Sequence, residues 1–155
     1  MWVADLQNGN YRNPVLYADY SDPDAIRVGE DYFMIASSFS NSPALPVLHS
    51  KDLVNWKVIN YCLKHVPEFR YNNPLHGCGV WAPSIRYHEG TYYVCFPMPD
   101  EGIYMTTTKD PWGEWSKPVN IRPGAGWIDP CPFWDDDGKA YLCLLYTSPS
   151  PRDRG

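Results

Sequence analysis

The 155-residue chain has the length of one ordinary domain, and its composition favours sheet over helix. Aromatic residues make up 15% of it and 16 residues are proline; bulky rings pack well on pleated sheets, whereas proline breaks helices. The net charge of -5 without a basic run argues against nucleic acid as a partner, and no stretch of 18 apolar residues is present to span a membrane.

The cysteines and histidines indicate neither a disulfide framework nor a metal site. The five cysteines are odd in number, and no two have Cys-X-X-Cys spacing; the four histidines are scattered. We therefore expect free thiols, which are typical of a reducing compartment. The first residues lack a basic region followed by an apolar core, so no secretion signal is visible. These two features together predict a cytoplasmic protein.

An extended, aromatic-rich pattern that follows a proline occurs three times along the chain. The copies begin at Asp22-Pro23, Ala82-Pro83 and Asp129-Pro130. In the middle of each copy lies a polar or glycine-containing turn between two β-prone runs, which indicates a hairpin. The spacing of the prolines at 23, 83 and 130 is that of one four-stranded propeller blade.

A second shared pattern completes the first two repeats. A short strand, a polar Lys-Asp turn and a tryptophan follow each hairpin, at Lys51–Trp56 and at Lys109–Trp115. The repeats predict one blade over about residues 22–61, another over about 82–121, and a third that opens at Asp129. Because a propeller needs at least four blades to close, we expect an all-β propeller of which this sequence holds two blades and the start of a third.

Two segments do not fit the blade pattern. Residues 62–80 form a long connection, and loops of that length in compact domains are often functional. The final segment, 146–155, interrupts the third blade with polar, proline-rich sequence that has no strand period. We expect a folded domain over residues 1–145 and, after it, a tail that is either a flexible terminus or a sequencing artefact.

Asp22 and Asp129 occupy the same position in their repeats, directly before the innermost strand. In a propeller these strands run along the central channel, so that residues at their starts lie around one mouth. Hydrolysis of a glycosidic bond requires two carboxyl groups, of which one donates a proton and the other activates water or attacks the sugar. The alternative is that each Asp-Pro pair merely opens a turn. The repeat positions alone leave both interpretations open.

The ordered set of motifs resembles glycoside hydrolase family 43, which comprises five-bladed β-propeller β-xylosidases, α-L-arabinofuranosidases and arabinanases. The resemblance covers about residues 13–145 and is carried by Asp22–Tyr32, Ser37–Phe39, His49–Trp56, Val80–Tyr87 and Gly126–Pro130. It implies a five-bladed propeller and an inverting mechanism. It also implies that Asp22 is the general base, and that Asp129 is a third carboxylate that modulates the pKa of the acid and orients the sugar.

The general acid of that family is a Glu at the start of the next blade, and no residue of this sequence matches it. We therefore expect the 155-residue chain by itself to show no turnover. The resemblance further implies that Trp81 and Phe39 contact the sugar, and Trp127 beside Asp129 is a third candidate. Aromatic faces stack on the apolar face of a pyranose, whereas core packing is the alternative role for each ring.

The motifs predict an inverting glycoside hydrolase that cleaves xylose- or arabinose-containing oligosaccharides. Ser37-Ser38-Phe39 favours a β-xylosidase over an α-L-arabinofuranosidase or arabinanase of the same family. The related fructosidase clan is disfavoured, because Ser21 and Ile128 stand where its motifs have Asn and Arg. A non-catalytic carbohydrate-binding propeller is the alternative from another class, and a Glu that opens blade four would distinguish the two.

No cofactor and no metal ligand are expected in this sequence, although some relatives hold a channel cation such as calcium through a later blade. The acidic run at 135–138 has the Asp-Gly of a hairpin tip and lacks the spacing of a calcium loop. The expected partner is an oligosaccharide, with neither nucleic acid nor membrane. The sequence makes no prediction of oligomeric state.

Overall fold

A computed structural model describes residues 2–145, which form ten strands and one 3-10 helix, Phe69–Asn72. The predicted tail, 146–155, lies outside the described residues. The strands in chain order are β1 (Asp24–Val28), β2 (Asp31–Ile35), β3 (Ala44–Ser50), β4 (Lys57–Leu63), β5 (Ser84–His88), β6 (Thr91–Met98), β7 (Gly102–Thr108), β8 (Val119–Pro123), β9 (Ile128–Trp134) and β10 (Ala140–Leu145).

The strands form two complete antiparallel blades and a hairpin. Blade one has the order β1-β2-β3-β4, blade two the order β5-β6-β7-β8, and β9 pairs with β10. In each complete blade the pairing of the third and fourth strands shifts register, after Val47 in one and after Ile103 in the other. Such irregularities increase the local twist of a sheet, as the outer edge of a propeller blade requires. The predicted succession of blades is confirmed.

Tight turns close the inner hairpin of each complete blade because the residues there accept a left-handed backbone. Gly29 has φ +62° in the two-residue loop between β1 and β2. Glu89 and Gly90 have φ +45° and +79° in the equivalent loop between β5 and β6. Positive φ at both central residues is the geometry of a type I′ turn, whose twist matches that of the flanking strands.

The core lies between blades one and two. Alternate residues of the strands turn towards it, so that Phe33, Ile35 and Val47 of blade one join Ile85 and Phe96 of blade two in one buried cluster. All five side chains are 0–1% exposed. The edges of aromatic rings also cross from one blade to the next, as the centroid of Phe33 lies 5.2 Å from that of Tyr92. Burial of this apolar surface holds the blades face to face.

The inner strands of the three blades are neighbours. β1 contacts β5, and β5 contacts β9. Because each blade is an antiparallel meander, its loops fall alternately at two ends. We call the rim the end at which the inner strands start, which comprises residues 21–23, 36–43, 64–83, 99–101 and 124–129. We call the base the opposite end, which comprises residues 29–30, 51–56, 89–90, 109–118 and 135–139.

All five cysteines are unpaired thiols. Burial raises the pKa of the Cys62 thiol and raises that of Cys95 to about 12, so both side chains pack as neutral groups. The only helix between residues 2 and 145 is the single turn at 69–72, and nothing helical in that part of the chain is long or apolar enough to cross a membrane.

Candidate active site

Asp22 and Asp129 share a rare backbone conformation. Their φ angles are +47° and +50°, although each residue directly precedes a proline, which favours extended backbone. Ala82, at the same position in blade two, does not share this left-handed conformation. Strained backbone of this kind persists only where the surrounding structure enforces it, and it is concentrated at functional sites. The first and third repeats, which carry the aspartates, therefore differ from the second repeat in backbone geometry as well as in residue type.

The carboxylate of Asp22 is exposed at the rim and is held from blade one. The Oγ of Ser37 donates a hydrogen bond to Oδ2 of Asp22 at 3.1 Å. The amide of Ser37 also donates to the carbonyl of Ser21 at 3.0 Å, which extends the pairing of β1 and β2 by one step towards the rim. Hydrogen bonds to an ionised carboxylate are among the stronger ones in proteins, so Ser37 fixes the direction of this group.

Asp129 is the second residue of β9 and is exposed, while Pro130 after it is buried. The inner strands follow one another in the order β1, β5, β9, so Asp22 and Asp129 lie on the same rim with the start of β5 between them. The structure thus places the two predicted acids on one end of the molecule and on strands that are both adjacent to β5.

Below the rim, Arg86 of β5 connects the other two inner strands. Its Nη1 donates to Oδ2 of Asp24 in β1 at 2.6 Å, and its Nη2 donates to Sγ of Cys131 in β9 at 2.9 Å. The amide of Ile85 donates to the same Asp24 oxygen at 2.8 Å. Burial acts to lower the pKa of Arg86, but the charge of Asp24 and its hydrogen bond outweigh burial and raise that pKa.

The predicted sugar-contacting residues Phe39 and Trp81 meet at one backbone bridge. The amide of Phe39 donates to the carbonyl of Val80 at 2.8 Å, and the amide of Val80 donates back at 3.0 Å. Gly79 lies so close that a Cβ there would be 2.4 Å from the carbonyl oxygen of Phe39. Trp81 follows Val80 directly, so the bridge brings the backbone of both aromatic residues to the same part of the rim.

The ring of Trp81 is outside the core. The side chain is 37% exposed, and its Nε1 donates to the carbonyl of Gly77 at 2.8 Å, which fixes the plane of the indole. Its amide donates to the carbonyl of Pro97 at 3.1 Å. A large aromatic face held in place and left partly open is suited to stacking on a sugar. This geometry favours the binding role of Trp81 over core packing, and Phe39 is half-buried.

Trp127 has a different environment. It is half-buried, and the guanidinium carbon of Arg122 lies 4.5 Å from the centre of its ring. Gly124 and Gly126, both with positive φ, form the turn that carries it. One face of the indole is thus occupied by a cation–π contact within blade two and its connection. Trp127 lies on the rim two residues before Asp129, and its predicted contact with the sugar stays a prediction.

The long connection between blades one and two is anchored along the rim. Arg70, in its 3-10 helix, donates to Oδ2 of Asp100 at 2.7 Å and forms an ion pair with Glu101 in the turn between β6 and β7. The amide of Leu75 donates to Oγ of Ser40 at 3.2 Å. The connection is therefore fastened to both blades, which fixes the course of the segment that leads to Trp81.

A cavity of about 940 Å³ lies elsewhere, at the outer side of the blades between β4 and residues 113–118. None of Asp22, Phe39, Trp81, Trp127 and Asp129 lines it. The cavity reaches the rim only at Pro43 and at 64–68. We assign the functional site to the part of the rim around Asp22 and Asp129 rather than to this cavity, because that part carries the repeat-related acids together with Phe39 and Trp81. Within residues 2–145, no three His, Cys, Asp or Glu side chains are grouped so as to hold a metal ion.

Sequence reasoning gave no role to Ser37, Asp24 or Arg86. Asp24 could have been identified from the sequence Asp22-Pro23-Asp24, because residues two apart on a strand face the same side and Asp24 therefore lies on the side of Asp22. Ser37 carries a weaker signal, as it follows β2 at the end nearest Asp22. Arg86 carries none, because its partners lie on two other blades.

Repeat-related carboxylates and two aromatic residues, Phe39 and Trp81, lie on one rim of a propeller, an arrangement that fits a carbohydrate-active protein. A family model described as "Glycosyl hydrolases family 43" matches residues 11–154. The chain belongs to glycosyl hydrolase family 43, whose members are glycoside hydrolases, and the resemblance drawn from its motifs is confirmed.

Several relatives and solved structures support the same family assignment. A putative β-xylosidase of Xylanibacter ruminicola is 46% identical over 140 residues, which are 90% of this chain and 26% of the relative. The non-reducing end α-L-arabinofuranosidase BoGH43B of Bacteroides ovatus is 41% identical over 153 residues, with 92% and 28% covered. The crystal structure of the K247S mutant of the family 43 protein BlXynB from Bacillus licheniformis matches with a TM-score of 0.77 and 39% identity, over 90% of this chain and 29% of that one. The chain thus spans about a quarter of the length of these relatives, and the prediction of a partial family propeller is confirmed.

Proposed function

We propose that the whole protein is an inverting glycoside hydrolase that acts on xylose- or arabinose-containing oligosaccharides, with β-xylosidase as its main activity. The observation that carries this proposal is the shared strained geometry of Asp22 and Asp129 at equivalent points of one rim. Relatives named β-xylosidase and α-L-arabinofuranosidase support the substrate class.

In this proposal Asp22 is the general base. Its carboxylate is exposed to water, and the hydrogen bond from Ser37 Oγ leaves its other oxygen, Oδ1, without a contact to that hydroxyl. An oriented carboxylate can accept a proton from a water molecule as the water attacks the sugar carbon from the face opposite the leaving group. Inversion at that carbon follows from this geometry.

Asp129 acts on the same sugar without transferring the proton itself. A second negative charge at the rim disfavours ionisation of a neighbouring carboxylic acid, and this keeps the general acid protonated near neutral pH. In this proposal Asp129 also accepts a hydrogen bond from a sugar hydroxyl and thereby orients the ring over Asp22.

None of the four glutamates at positions 68, 89, 101 and 114 is assigned as the general acid. Each of them is paired with another side chain: Glu68 with Tyr104, Glu89 with His88, Glu101 with Arg70, and Glu114 with Lys64. None of them stands at the start of an inner strand. The acid of the proposed mechanism is therefore a group contributed by the rest of the propeller.

Trp81 and Phe39 form the wall against which the sugar packs. The apolar face of a pyranose has the size of an indole ring, and stacking excludes water from one side of the reacting carbon. The anchored connection at 64–80 keeps this wall rigid through the bond from Trp81 Nε1 to Gly77. A rigid wall fixes the distance of the anomeric carbon from Asp22, which is what catalysis by positioning requires.

Two measurements on the whole protein test the proposal. The first compares kcat/KM on 4-nitrophenyl β-D-xylopyranoside with that on the α-L-arabinofuranoside, and we expect the xyloside to be preferred. The second follows the first-formed anomer of a xylobiose digest by proton NMR, and we expect α-xylose from the β-linkage. Preference for the arabinoside would select the α-L-arabinofuranosidase alternative, and first formation of the β-anomer would overturn the inverting mechanism. Binding of xylo-oligosaccharides without turnover would identify a carbohydrate-binding propeller instead.

A further inference from the structure

The segments that carry Asp22 and Asp129 are connected by Arg86, two residues further along each segment. Asp24 lies two residues after Asp22, and Cys131 lies two residues after Asp129, so both partners of Arg86 share an inner strand with one of the acids. Arg86 itself belongs to β5, the inner strand that lies between those two strands. The contacts of one side chain thus span all three blades at their centre.

We propose that Arg86 is a positioning residue that sets the separation of Asp22 and Asp129. The inference rests on the proposed function, because it assigns Arg86 a part in that reaction. Arg86 acts through Asp24 and Cys131 and has no contact with the reacting atoms in this assignment. Its contribution is to hold β1 and β9 at a fixed distance on either side of β5.

The shape of the guanidinium group supports this role. Its donors lie in one rigid plane, so a group that donates Nη1 to Asp24 and Nη2 to Cys131 fixes where both acceptors stand. The Nη1 group also donates to the carbonyl of Ile85 at 2.5 Å, which ties the fork to the backbone of β5. A lysine ammonium is a single point of charge on a flexible stem and cannot hold two partners at a defined separation.

The partners are shielded enough for the contact to be firm. The side chains of Arg86 and Asp24 are 33% and 28% exposed, and Cys131 is half-buried. The amide of Ile85 adds a second donor to the same oxygen of Asp24, so the carboxylate is held from two directions along β5. Ion pairs on the open surface lack this support and hold their partners loosely.

The expected effect follows from the tolerance of catalysis to misplacement. A displacement of about 1 Å between catalytic groups can lower the rate about 100-fold. Arg86→Met removes both arms of the fork, and we expect kcat to fall about 100-fold while KM changes less than about threefold. Arg86→Lys keeps the charge beside Asp24 and should recover part of kcat. Cys131→Ala removes one arm only and should lower kcat by less than Arg86→Met does.

Asn60→Ala is the matched control. The Nδ2 of Asn60 donates to the carbonyls of Pro111 at 3.1 Å and Gly113 at 2.6 Å, so Asn60 also connects blades one and two, but at the outer side of the molecule. This variant should lower the melting temperature and leave the kcat of the folded protein unchanged. It therefore separates a loss of blade–blade stability from a loss of positioning.

The experiment measures kcat and KM on an aryl pentoside for the whole protein and these variants, with the folded fraction taken from circular dichroism. A kcat of Arg86→Met equal to wild type in an active enzyme overturns the inference and leaves the proposed function intact. A fall matched by Asn60→Ala at equal folded fraction also overturns it. If Arg86→Met does not fold, an unchanged kcat in both Arg86→Lys and Cys131→Ala has the same meaning. A wild-type protein without turnover on any pentoside overturns the proposed function and this inference with it.

Discussion

The rim and the base of the blades use left-handed backbone in different ways. At the base, Gly29 and Gly90 adopt positive φ in the inner hairpins, with Glu89 beside the second of them. At the rim, the same conformation is adopted by Asp22, Phe39 and Asp129, three of the residues for which the sequence predicts a role in the site. Glycine is the economical choice where only a turn is needed, because it has no Cβ to strain. Non-glycine residues with positive φ also occur at the base, at Leu53 and Glu89, and glycines with positive φ also occur at the rim. What distinguishes the rim is that two predicted acids, each directly before a proline, adopt this conformation.

The largest difference between the rim and the base should appear in kcat when one aspartate at each end is replaced by asparagine. Asp22→Asn replaces the proposed base by an amide that cannot accept a proton from water, and we expect kcat to fall about 100- to 10,000-fold. Asp31→Asn changes the same residue type at the base, where Asp31 accepts hydrogen bonds from His49 at 2.6 Å and Lys51 at 2.7 Å. Its kcat should equal that of wild type. Steady-state kinetics on an aryl xyloside decide, and equal losses in both variants would remove the distinction between rim and base.

Two glycines give the next largest contrast, this time in stability. Gly79 at the rim has φ +94°, and Gly79→Ala places a Cβ 2.4 Å from the carbonyl oxygen of Phe39. Because that oxygen belongs to backbone that cannot move far, the substitution should lower the free energy of unfolding by about 3 kcal/mol. Gly29→Ala at the base has φ +62° and open space around the new Cβ, so about 1 kcal/mol is expected. Thermal unfolding of the two variants measures the difference. A larger loss for Gly29→Ala would show that the Phe39–Val80 bridge yields easily.

Two tryptophans separate binding from packing. Trp81→Ala should raise KM about tenfold, because it removes one stacking face from the sugar site. Trp112→Ala at the base should lower the melting temperature without changing KM, since its ring packs 5.3 Å from that of Phe33 and 5.0 Å from that of His49. KM and melting temperature are measured on both variants. A raised KM in Trp112→Ala alone would contradict the assignment of the sugar wall to the rim.

The sequence was sufficient to predict the blades and the position of the acids, because both depend on local signals. Hairpins follow from turn residues and strand alternation, and repeats align equivalent residues without any knowledge of contacts. Left-handed backbone at Asp22 and Asp129 could not be foreseen, because the following proline favours the opposite conformation. Tertiary contacts override that local preference.

The contacts that join blades were also beyond reach of the sequence. Arg86 meets Asp24 and Cys131 only because three inner strands are brought together around one axis, and the chain separates these residues by most of a blade or more. Pairings between residues so far apart have no periodicity to reveal them. The cytoplasmic location, the absence of a cofactor, the catalytic roles of Asp22 and Asp129, and the sugar-binding roles of Trp81, Phe39 and Trp127 stay predictions.

The smallest expected effect concerns pH and belongs to the base. Hydrogen bonds from the Asn55 side chain, at 2.8 Å, and from the Asn55 amide, at 2.7 Å, hold the pKa of Asp52 well below its ordinary value of 3.8. A carboxyl group whose pKa is lowered by folding stabilises the fold above its unfolded pKa, and that contribution is lost as the pH falls through the folded pKa. Because the turn is exposed, Asp52→Asn should cost less than about 1 kcal/mol at neutral pH. The melting temperatures of wild type and variant should differ equally at pH 7 and pH 5 and begin to converge at pH 3, whereas a gap that widens on acidification would show that Asp52 is strained rather than stabilised in this turn.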